Sequence, residues 1–477
     1  MSWADQLIAV VAPIYAVKRR VAREYLNGYD AAGGGPRSVR SRSTGQNSEN
    51  RVGLVRLRDN AREFRRNNPY ADIACRTLAA NTVGTGIRPI IKHKSKRKEA
   101  LAKSLLTDYV QSIVDYHGGL DFFGIQSLAI ESMIEGGESI ISRRITANKN
   151  LPVPLELQIL EGDYIDHMRD GALSGISSKA VMGVEFSNGK PSHYWMFNDH
   201  PGDSRSYGLS SNSSLKNADD YMHLYRVLRP GQVRGIPTGV SAFMRLMSLD
   251  NFQDARVEQQ KVAALFGGVI YSESGEQKGD KLPTHLHPGI LAKLNGEERI
   301  VFSNPPSVSG QGEFVTGEQH IIASAYEITY ESLTGDFSKA NFASGKMARI
   351  QMYANVDRLR KLMFLPKFGN KFKQWFIEAA MMRGYDIDGA TIEWTLPKRE
   401  ILDPKNEMPA IIDEVRSGLN SLSGAMRERG INDPHAVIKE LAEDIEFVRS
   451  QGLILDIDGK KTSKAGQLNQ ERGTEDE

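Results

Sequence analysis

Residues 324–344 read Ser-Ala-Tyr-Glu-Ile-Thr-Tyr-Glu-Ser-Leu-Thr-Gly-Asp-Phe-Ser-Lys-Ala-Asn-Phe-Ala-Ser. The stretch begins with residues compatible with a helix and returns to a helical pattern near Ser344. Between the two, Gly335 tolerates a positive φ, while Asp336 and Ser338 can hydrogen-bond to nearby backbone and so favour turns. The stretch therefore predicts two helices joined by a short loop.

The aromatic residues of this loop are unusual for a connection that only faces solvent. Phe337 and Phe342 lie among the turn-forming residues, although surface loops mostly carry polar side chains. We therefore expect the loop to be held against another surface, with Phe337 and Phe342 packing against the body of the protein as anchors.

A long helix is predicted before this segment, over residues 239–266. This stretch contains no proline and no internal glycine, and its apolar residues recur at spacings of three and four. At 1.5 Å per residue it would form a rod of roughly 42 Å. Residues 267–316 predict a small irregular insert with β-strands, and a second helix is expected at about 317–331.

The N-terminal half predicts helices followed by strands. Helical patterns cover 52–83, with a break at Asn68-Pro69, and 100–135. Short runs rich in β-forming residues then follow, which indicates an α+β fold. These runs are 139–144, 155–160, 181–186 and 194–197.

The C-terminal part predicts mainly helices. One is expected from Ser344 to Phe364, and Pro366 and Gly369 predict a break before a further helical run near 371–382. Later helices are predicted at 406–429 and 433–451. Asp433 followed by proline is typical of an N-cap with proline at the first helical position.

Composition excludes several classes of protein. The 477 residues carry a net charge of +2 and a single cysteine, which excludes an intramolecular disulfide framework. Cys75 lies in an apolar helical pattern, so we expect a small buried side chain and synthesis in a reducing compartment. The apolar run at 7–17 contains a proline and is too short to span a bilayer, so no membrane association is expected.

Positive charge is concentrated near the N-terminus. Residues 18–66 contain thirteen Lys or Arg residues against five acids. Such an arm could face phosphate, or the acidic surface of another subunit. A simple solvated surface is the alternative.

No motif in the sequence supports catalysis. Residues 340–347 resemble a Walker A motif, but Ala340 replaces the first glycine and Met347 replaces the hydroxyl residue that would hold Mg²⁺. His285 and His287 lack a third ligand at suitable spacing. Asp386-Ile-Asp388-Gly389 and Asp456-Ile-Asp458-Gly459 lack the remaining oxygens of a calcium loop. We therefore expect no enzyme, no metal site and no cofactor.

Five sequence motifs together resemble the portal proteins of tailed bacteriophages, lambda family. They occur in the expected order and span about residues 50–450. The motifs are Arg-Arg-Asn-Asn-Pro-Tyr-Ala at 65–71, Asn-Thr-Val-Gly-Thr-Gly-Ile at 81–87, Arg-Pro-Gly-Gln-Val-Arg-Gly-Ile-Pro at 229–237, Leu-Asp-Asn-Phe-Gln-Asp-Ala at 249–255 and Tyr-Glu-Ser-Leu-Thr-Gly-Asp-Phe-Ser-Lys-Ala-Asn-Phe at 330–342.

The resemblance implies a ring, usually a dodecamer, at one vertex of the capsid of a virion. Double-stranded DNA would pass through its channel during packaging and ejection. The implied partners are the terminase large subunit, the major capsid and scaffold proteins, and head-completion (adaptor) proteins. Synthesis in the host cytoplasm is expected. Another virion structural protein, such as an adaptor or capsid component, is the closer alternative, and a DNA-processing nuclease the more distant one.

The resemblance also implies a portal fold with an α/β wing, a long helical stem, a small α/β clip and a C-terminal helical crown. The implied boundaries are an N-terminal helix and basic arm at 1–51, wing at 52–238, stem helix 1 at 239–266, clip at 267–316, stem helix 2 at 317–331, tunnel loop at 332–343, wing helix and strands at 344–404, crown at 405–452 and a disordered tail at 453–477.

The tunnel loop is the implied DNA-facing site. In a ring, each polar side chain of the loop would become a circle of identical groups near the phosphates, with Lys339 as the only cation. A conduit must pass any sequence, so weak salt-dependent contacts are expected instead of sequence readout. The candidate residues are Thr334, Gly335, Asp336, Phe337, Ser338, Lys339 and Asn341.

Overall fold

The computed structural model describes residues 44–171, 180–203, 212–265, 269–272, 298–301, 311–401 and 403–453. Residues 50–477 cluster as one compact unit and residues 1–49 as another. Several predictions lie outside the described residues: most of the arm at 1–51, most of the insert at 267–316 with His285 and His287, and the tail beyond Leu453 with Asp456 and Asp458.

The first two helices break and end where the sequence predicts, but the first begins at Gln46, six residues before the predicted start at 52. Helix α1 spans Gln46–Asn67 and α2 spans Pro69–Val83. Between them, the Asn68 side chain accepts hydrogen bonds from the backbone N–H groups of Tyr70 and Ala71. Gly84, with φ of 56°, ends α2, which confirms the predicted stop. A proline at the first helical position needs no N–H partner, so this junction is locally favourable.

The predicted single helix over 100–135 is wrong. Strand β1 (Arg88–Lys92) leads into α3 (Lys96–Gln111), and α4 (Phe122–Gly136) is separate. Ser112 has an extended backbone that ends α3, and Asp121 starts α4 by accepting a hydrogen bond from Gly124 N–H. A capping aspartate within an otherwise apolar pattern therefore divides the region into two helices.

Within the described ranges, the strands form four antiparallel sheets, which confirms the α+β class. Strand β2 (Glu138–Ile145) lies between β3 (Leu155–Glu161) and β8 (Tyr221–Tyr225). A second sheet contains, in order, β4 (Ala180–Val181), β5 (Val184–Ser187), β6 (Lys190–Met196) and β7 (Ser214–Asn217). Two pairs complete the set: β1 with β11 (Thr391–Thr395), and β9 (Val269–Ser272) with β10 (Glu298–Val301).

A pair of long helices flanks the insert. Helix α5 spans Phe243–Leu265 after a 3₁₀ turn at Val240–Ala242, which confirms the predicted rod. Helix α6 spans Gln311–Ala325. The pair runs antiparallel, since an ion pair of 3.0 Å joins Arg245 to Glu318 and a ring contact of 4.9 Å joins Phe252 to Phe314.

The predicted bounds of the second rod, 317–331, are wrong. Helix α6 begins earlier, at Gln311, and ends at Ala325. Glu327 has a φ of 60°, a left-handed conformation that a continuing α-helix cannot contain. A separate short helix, α7, then spans Tyr330–Thr334.

The chain after the candidate loop forms one continuous helical rod instead of the predicted helices broken at Pro366 and Gly369. Helix α8 (Phe342–Arg358) passes through a π-helical segment (Leu359–Gly369) into α9 (Asn370–Met382). A proline lacks the N–H and the space that a regular α turn requires, and the wider π turn accommodates it. A Cβ on Gly369 would lie 2.7 Å from Trp394 Nε1, so this glycine serves close packing.

The C-terminal helices are α10 (Pro404–Arg416), α11 (Leu422–Glu428) and α12 (Pro434–Ser450). The helix predicted at 406–429 is therefore two, because Gly418 turns the chain with a φ of 76°. The predicted cap at Asp433 is confirmed, since its side chain accepts a hydrogen bond from Ala436 N–H.

An aromatic cluster occupies the centre of the main core. Tyr109, Phe122 and Phe372 are fully buried, with ring centroids of Phe122 and Phe372 4.6 Å apart. The rings of Phe364 and Phe368 from the π-helical segment stack at 4.7 Å. Arg360 in the same segment donates to the carbonyls of Thr82 and Asn81, so the core ties this rod to α2.

Candidate DNA-channel loop

The candidate loop is held at both ends by helix caps. Gly335, with φ of 70°, ends α7, and its N–H donates to Glu331 O at 2.8 Å. At the other end, Asn341 and Ser344 form a capping box at the start of α8. The non-helical connection is therefore 335–341, which is shorter than the predicted 332–343. Its ends are fixed by local hydrogen bonds that the sequence itself encodes.

Asp336 organises the inside of the loop. Its Oδ1 accepts from Ser338 N–H at 2.9 Å, and its Oδ2 accepts from the Tyr330 hydroxyl at 3.2 Å. Its own N–H donates to Thr334 Oγ1 at 3.1 Å. Hydrogen bonds lower the pKa of Asp336, and the one from the Ser338 side chain has the largest effect. The carboxylate is therefore ionised and serves as a hydrogen-bond acceptor that shapes the turn.

The polar side chains of the loop face solvent in the single chain. Asp336, Ser338, Lys339 and Asn341 are exposed, whereas Thr334 is half-buried and donates its hydroxyl to Tyr330 O. Lys339 forms no ion pair with the residues that the structure describes. Its ammonium group is therefore available to an anion such as a phosphate.

The prediction that Phe337 and Phe342 anchor the loop on the body is wrong for the single chain. The two side chains are 67% and 61% exposed. Burial of an aromatic side chain needs a facing apolar surface, and none of the described residues supplies one here. Met347 and Ile350 on α8 are also exposed.

Leu333 holds the loop in place. Its side chain is 1% exposed and belongs to the main core. The short helix α7 that carries it contacts both α2 and α6. Beside it, the Tyr330 ring stacks on His320 of α6 at 4.3 Å. The loop thus projects from a firmly packed helix.

The Walker-like stretch has a structural role. Asn341 and Ser344 cap α8, and Gly345 and Lys346 lie within that helix. Lys346 Nζ lies 2.8 Å from Glu407 Oε1 on α10. A phosphate-binding loop needs free backbone N–H groups, and here the helix and its cap take them up.

Residues from two of the five motifs meet in space. The Asn68 amide donates to Asp250 Oδ1 and Oδ2 at 2.8 and 2.9 Å. Nearby, Gln319 Nε2 donates to the Tyr70 hydroxyl at 2.9 Å. Side chains from the motifs at 65–71 and 249–255 therefore join the start of α2 to α5, and Tyr70 of the first motif joins it to Gln319 of α6.

A third motif contributes a buried ionic network. Arg234 is 0% exposed, and its Nε lies 3.0 Å from both Glu138 oxygens. Arg58 and His223 also bind Glu138, the latter at 2.7 Å through Nε2. Despite burial, which opposes ionisation, Arg234 and Arg58 hold the pKa of Glu138 well below its usual range. The network fixes the 229–237 motif against β2.

Three side chains have the mutual distances of metal ligands. They are Glu161, Asp163 and His200. Arg62 forms ion pairs with both carboxylates of this group, at 2.5 Å to Asp163. A guanidinium in that position neutralises the carboxylates and repels a cation, so the group is an ion-pair cluster.

One basic segment escaped the sequence reasoning. Residues 88–103 contain seven Lys or Arg residues and one acid, at the junction of β1 and α3. The signal was the run Lys-His-Lys-Ser-Lys-Arg-Lys at 92–98, a pattern typical of anion-binding patches. Only the fold places Arg427 and Asn432 beside it, in a cleft of about 380 Å³.

None of the helices in the described ranges is both long and apolar enough to cross a bilayer. A family model for phage portal protein, lambda family, matches residues 33–360. Among solved structures, the chain is similar at 15% identity to one titled as the neck of an empty GTA particle with C6 symmetry, covering 78% of this chain and 90% of that chain with a TM-score of 0.46. It is similar also, at 15% identity and TM-scores of 0.47, to chains in the neck of a native GTA particle with C12 symmetry (79% and 92% covered) and in the virion of a native gene transfer agent particle (80% and 93% covered).

Proposed function

This chain belongs to the lambda family of phage portal proteins, and on that premise we propose that it forms the ring-shaped channel through which double-stranded DNA enters and leaves the capsid. The family match over residues 33–360 carries the proposal. As a portal protein it is a structural component of a virion. The ring is a homo-oligomer, with twelve copies as the expected number.

The antiparallel pairing of helices α5 and α6 favours their assignment as the two helices of a portal stem. They flank residues 266–310, so an insert projecting from the far end of the pair would act as the clip that docks the terminase large subunit and later the adaptor proteins. Ion pairing of Arg245 with Glu318 stiffens the pair at its base. We propose residues 239–266 and the α6 helix as the two stem helices.

The loop at 335–341 has the properties expected of an element that faces DNA. It projects from a packed helix, exposes Asp336, Ser338, Lys339 and Asn341, and carries a cation without an ion pair among the described residues. We propose that the copies of Lys339 form a ring of positive charge along the channel. Such contacts bind phosphate irrespective of sequence and exchange rapidly, which suits a sliding duplex.

The remaining parts are assigned by the same proposal. Residues 52–238 and 344–404 form the wing, and 405–452 form the crown. The crown helices α10 and α12 bury almost no apolar side chain in the single chain, which is expected if they pack in an assembly. Major capsid and scaffold proteins are the proposed partners of the outer surface.

Electron microscopy of the purified full-length protein tests the proposal. Rings with a central channel wide enough for a duplex, about 20 Å or more, are the expected result. A monomer at micromolar concentration, or an assembly without a channel, would overturn it. The adaptor alternative also forms rings, so a packaging assay with and without the protein separates the two.

A further inference from the structure

The junction of β1 and α3 carries more positive charge than its ion pairs neutralise. Three of its seven cations have carboxylate partners: Lys92 with Glu393, Lys98 with Asp386, and Lys103 with Asp433. The other four, Arg88, Lys94, Lys96 and Arg97, form no ion pair with the described residues, and all four are exposed. Unneutralised charge of this density favours an anionic partner.

Three of these positive charges lie at the N-terminus of α3, the end of a helix at which cations are least favourable. Lys96, Arg97 and Lys98 form the first turn of α3, a helix of 16 residues. The N-terminus of a helix carries partial positive charge, so each cation there opposes the helix dipole by some tenths of a kcal/mol. The Ser95 side chain makes no capping hydrogen bond. The N–H groups of Lys96, Arg97 and Lys98 precede the first intrahelical hydrogen bond, from Glu99 N–H to Ser95 O, and can therefore donate to an external acceptor.

A neighbouring cleft contains polar atoms that lack partners. Arg427 from α11 and Asn432 line the cleft together with Arg88. Arg427 Nε and Asn432 Oδ1 are shielded from solvent without a hydrogen-bond partner in the described structure. Arg427 forms no ion pair there either. Buried polar groups are nearly always satisfied, so an anion that accepts from Arg427 Nε would supply one missing partner, whereas Asn432 Oδ1 is an acceptor and needs a donor. Glu99 and Asp433 also line the cleft, so an anion there would lie on the Arg88 and Arg427 side.

We propose that Arg88, Lys94, Lys96, Arg97 and Arg427, here called the basic surface, bind phosphate groups of double-stranded DNA at a place separate from the channel loop. The inference rests on the proposed function only in naming a DNA duplex as the polyanion. None of these residues belongs to 335–341, so the channel can exist without this surface.

The chemistry of the basic surface favours DNA over an acidic protein. Phosphate oxygens are contacted mainly by Lys, Arg and helix N-termini, which are the groups present here. Protein interfaces, in contrast, are depleted in lysine and centred on apolar side chains. None of the five residues of the basic surface is apolar, and its lysines, Lys94 and Lys96, are of a type that protein interfaces avoid.

The test compares two triple variants of the full-length assembled protein. One is Lys94→Gln/Lys96→Gln/Arg97→Gln. The matched control is Lys149→Gln/Lys190→Gln/Arg358→Gln, which removes the same charge at exposed positions without ion pairs in the described structure. Binding of a fluorescent 20-base-pair duplex is measured by anisotropy from 25 to 200 mM salt, in a Lys339→Gln background that weakens the channel loop.

The expected result is weaker binding by the first variant and a shallower salt dependence. Each lost phosphate contact reduces the slope of log K against log salt by about 0.9, so three contacts reduce it by roughly 2.7. The control keeps the slope of its parent. Arg427→Gln is expected to lower affinity as well, and inorganic phosphate at 10 mM to compete with the duplex more effectively than equimolar chloride does.

Three results would overturn the inference. They are equal slopes in the two triple variants, loss of binding in both, and displacement of the duplex by polyglutamate of equal charge as efficiently as by unlabelled duplex. Ring formation is scored on the same preparations by electron microscopy. Rings without a difference in slope contradict the basic surface alone, whereas absence of rings contradicts the channel.

Discussion

Asn68 donates its side-chain amide to both carboxylate oxygens of Asp250, at 2.8 and 2.9 Å, across 182 positions of sequence. The same side chain caps α2 through its oxygen. One buried residue therefore starts a helix and ties it to α5. Both residues lie in motifs on which the resemblance to portal proteins rests, so the motifs mark a structural junction.

Replacement of Asn68 is expected to destabilise the protein in two distinguishable ways. Asn68→Ala removes the cap and leaves Asp250 without this donor, which should lower the free energy of unfolding by about 1–3 kcal/mol. Asn68→Asp keeps a capping oxygen but places a carboxylate against Asp250. Its loss should therefore be larger at pH 7 than at pH 4. Denaturant unfolding of both variants, with Asn67→Ala as control, measures the difference. Equal losses at the two pH values would contradict the close contact between residue 68 and the Asp250 carboxylate.

The lowered pKa of buried His223 predicts that the protein is less stable in mild acid. Burial lowers its pKa to about 4, whereas an unfolded histidine titrates near 6.5. Between these values the unfolded state binds a proton that the folded state does not. The free energy of unfolding should therefore fall as pH drops from 6.5 towards 4, by up to about 1.4 kcal/mol per pH unit.

His223→Gln separates this contribution from other groups. Glutamine retains an N–H donor for Glu138. The pKa of folded Glu138 lies well below its usual range, so its contribution changes only towards the acid end of this window and is present in both proteins. The variant should show a flatter pH profile between 4 and 6.5 in denaturant titrations. The exposed His117→Gln serves as control, and a profile unchanged in His223→Gln would refute the assignment.

Two glycines of the same rod should respond in opposite directions to alanine. Gly369→Ala places a Cβ 2.7 Å from Trp394 Nε1, and such overpacking should cost about 1–3 kcal/mol. Gly345→Ala meets nothing within 4 Å and should stabilise α8 by up to about 1 kcal/mol. Thermal unfolding of the pair tests this. A stable Gly369→Ala would mean that the indole moves freely.

Lys339→Glu should impair retention of packaged DNA without affecting assembly. The substitution turns the proposed ring of cations into a ring of anions, which repels phosphate. DNA per particle after packaging in vitro is the measurement, and ring formation by microscopy is the check on assembly. Lys149→Glu, in an exposed position, is the control. Normal packaging by Lys339→Glu rings would contradict a phosphate contact at this residue.

Local rules predicted helix ends better than helix continuity. The junctions at Asn68-Pro69 and Asp433-Pro434 followed directly from capping chemistry, because the partners are adjacent in sequence. Pro366 misled the same reasoning, because a π turn and the surrounding core tolerate it. Tertiary packing there outweighs the local preference.

In the candidate loop, too, features set by local hydrogen bonds could be predicted from the sequence, whereas features set by distant residues could not. The turn residues Gly335 and Asp336 were readable from sequence, since their hydrogen bonds are local. The environment of Phe337 was not, because it depends on surfaces distant in sequence or on other copies. The contact of Asn68 with Asp250 and the position of Arg427 beside Arg88 likewise required the fold.

The caps at Gly335 and Asn341 limit how far the candidate loop between them can move. Residues 335–341 extend to at most about 25 Å at 3.3–3.6 Å per residue, and a chain returning to its starting point reaches half of that. The loop can therefore move only over a short distance while both of its caps stay in place. If the loop lines the proposed channel and moves further than this, α7 must unwind or α8 must swing, so the two flanking helices would have to move with it.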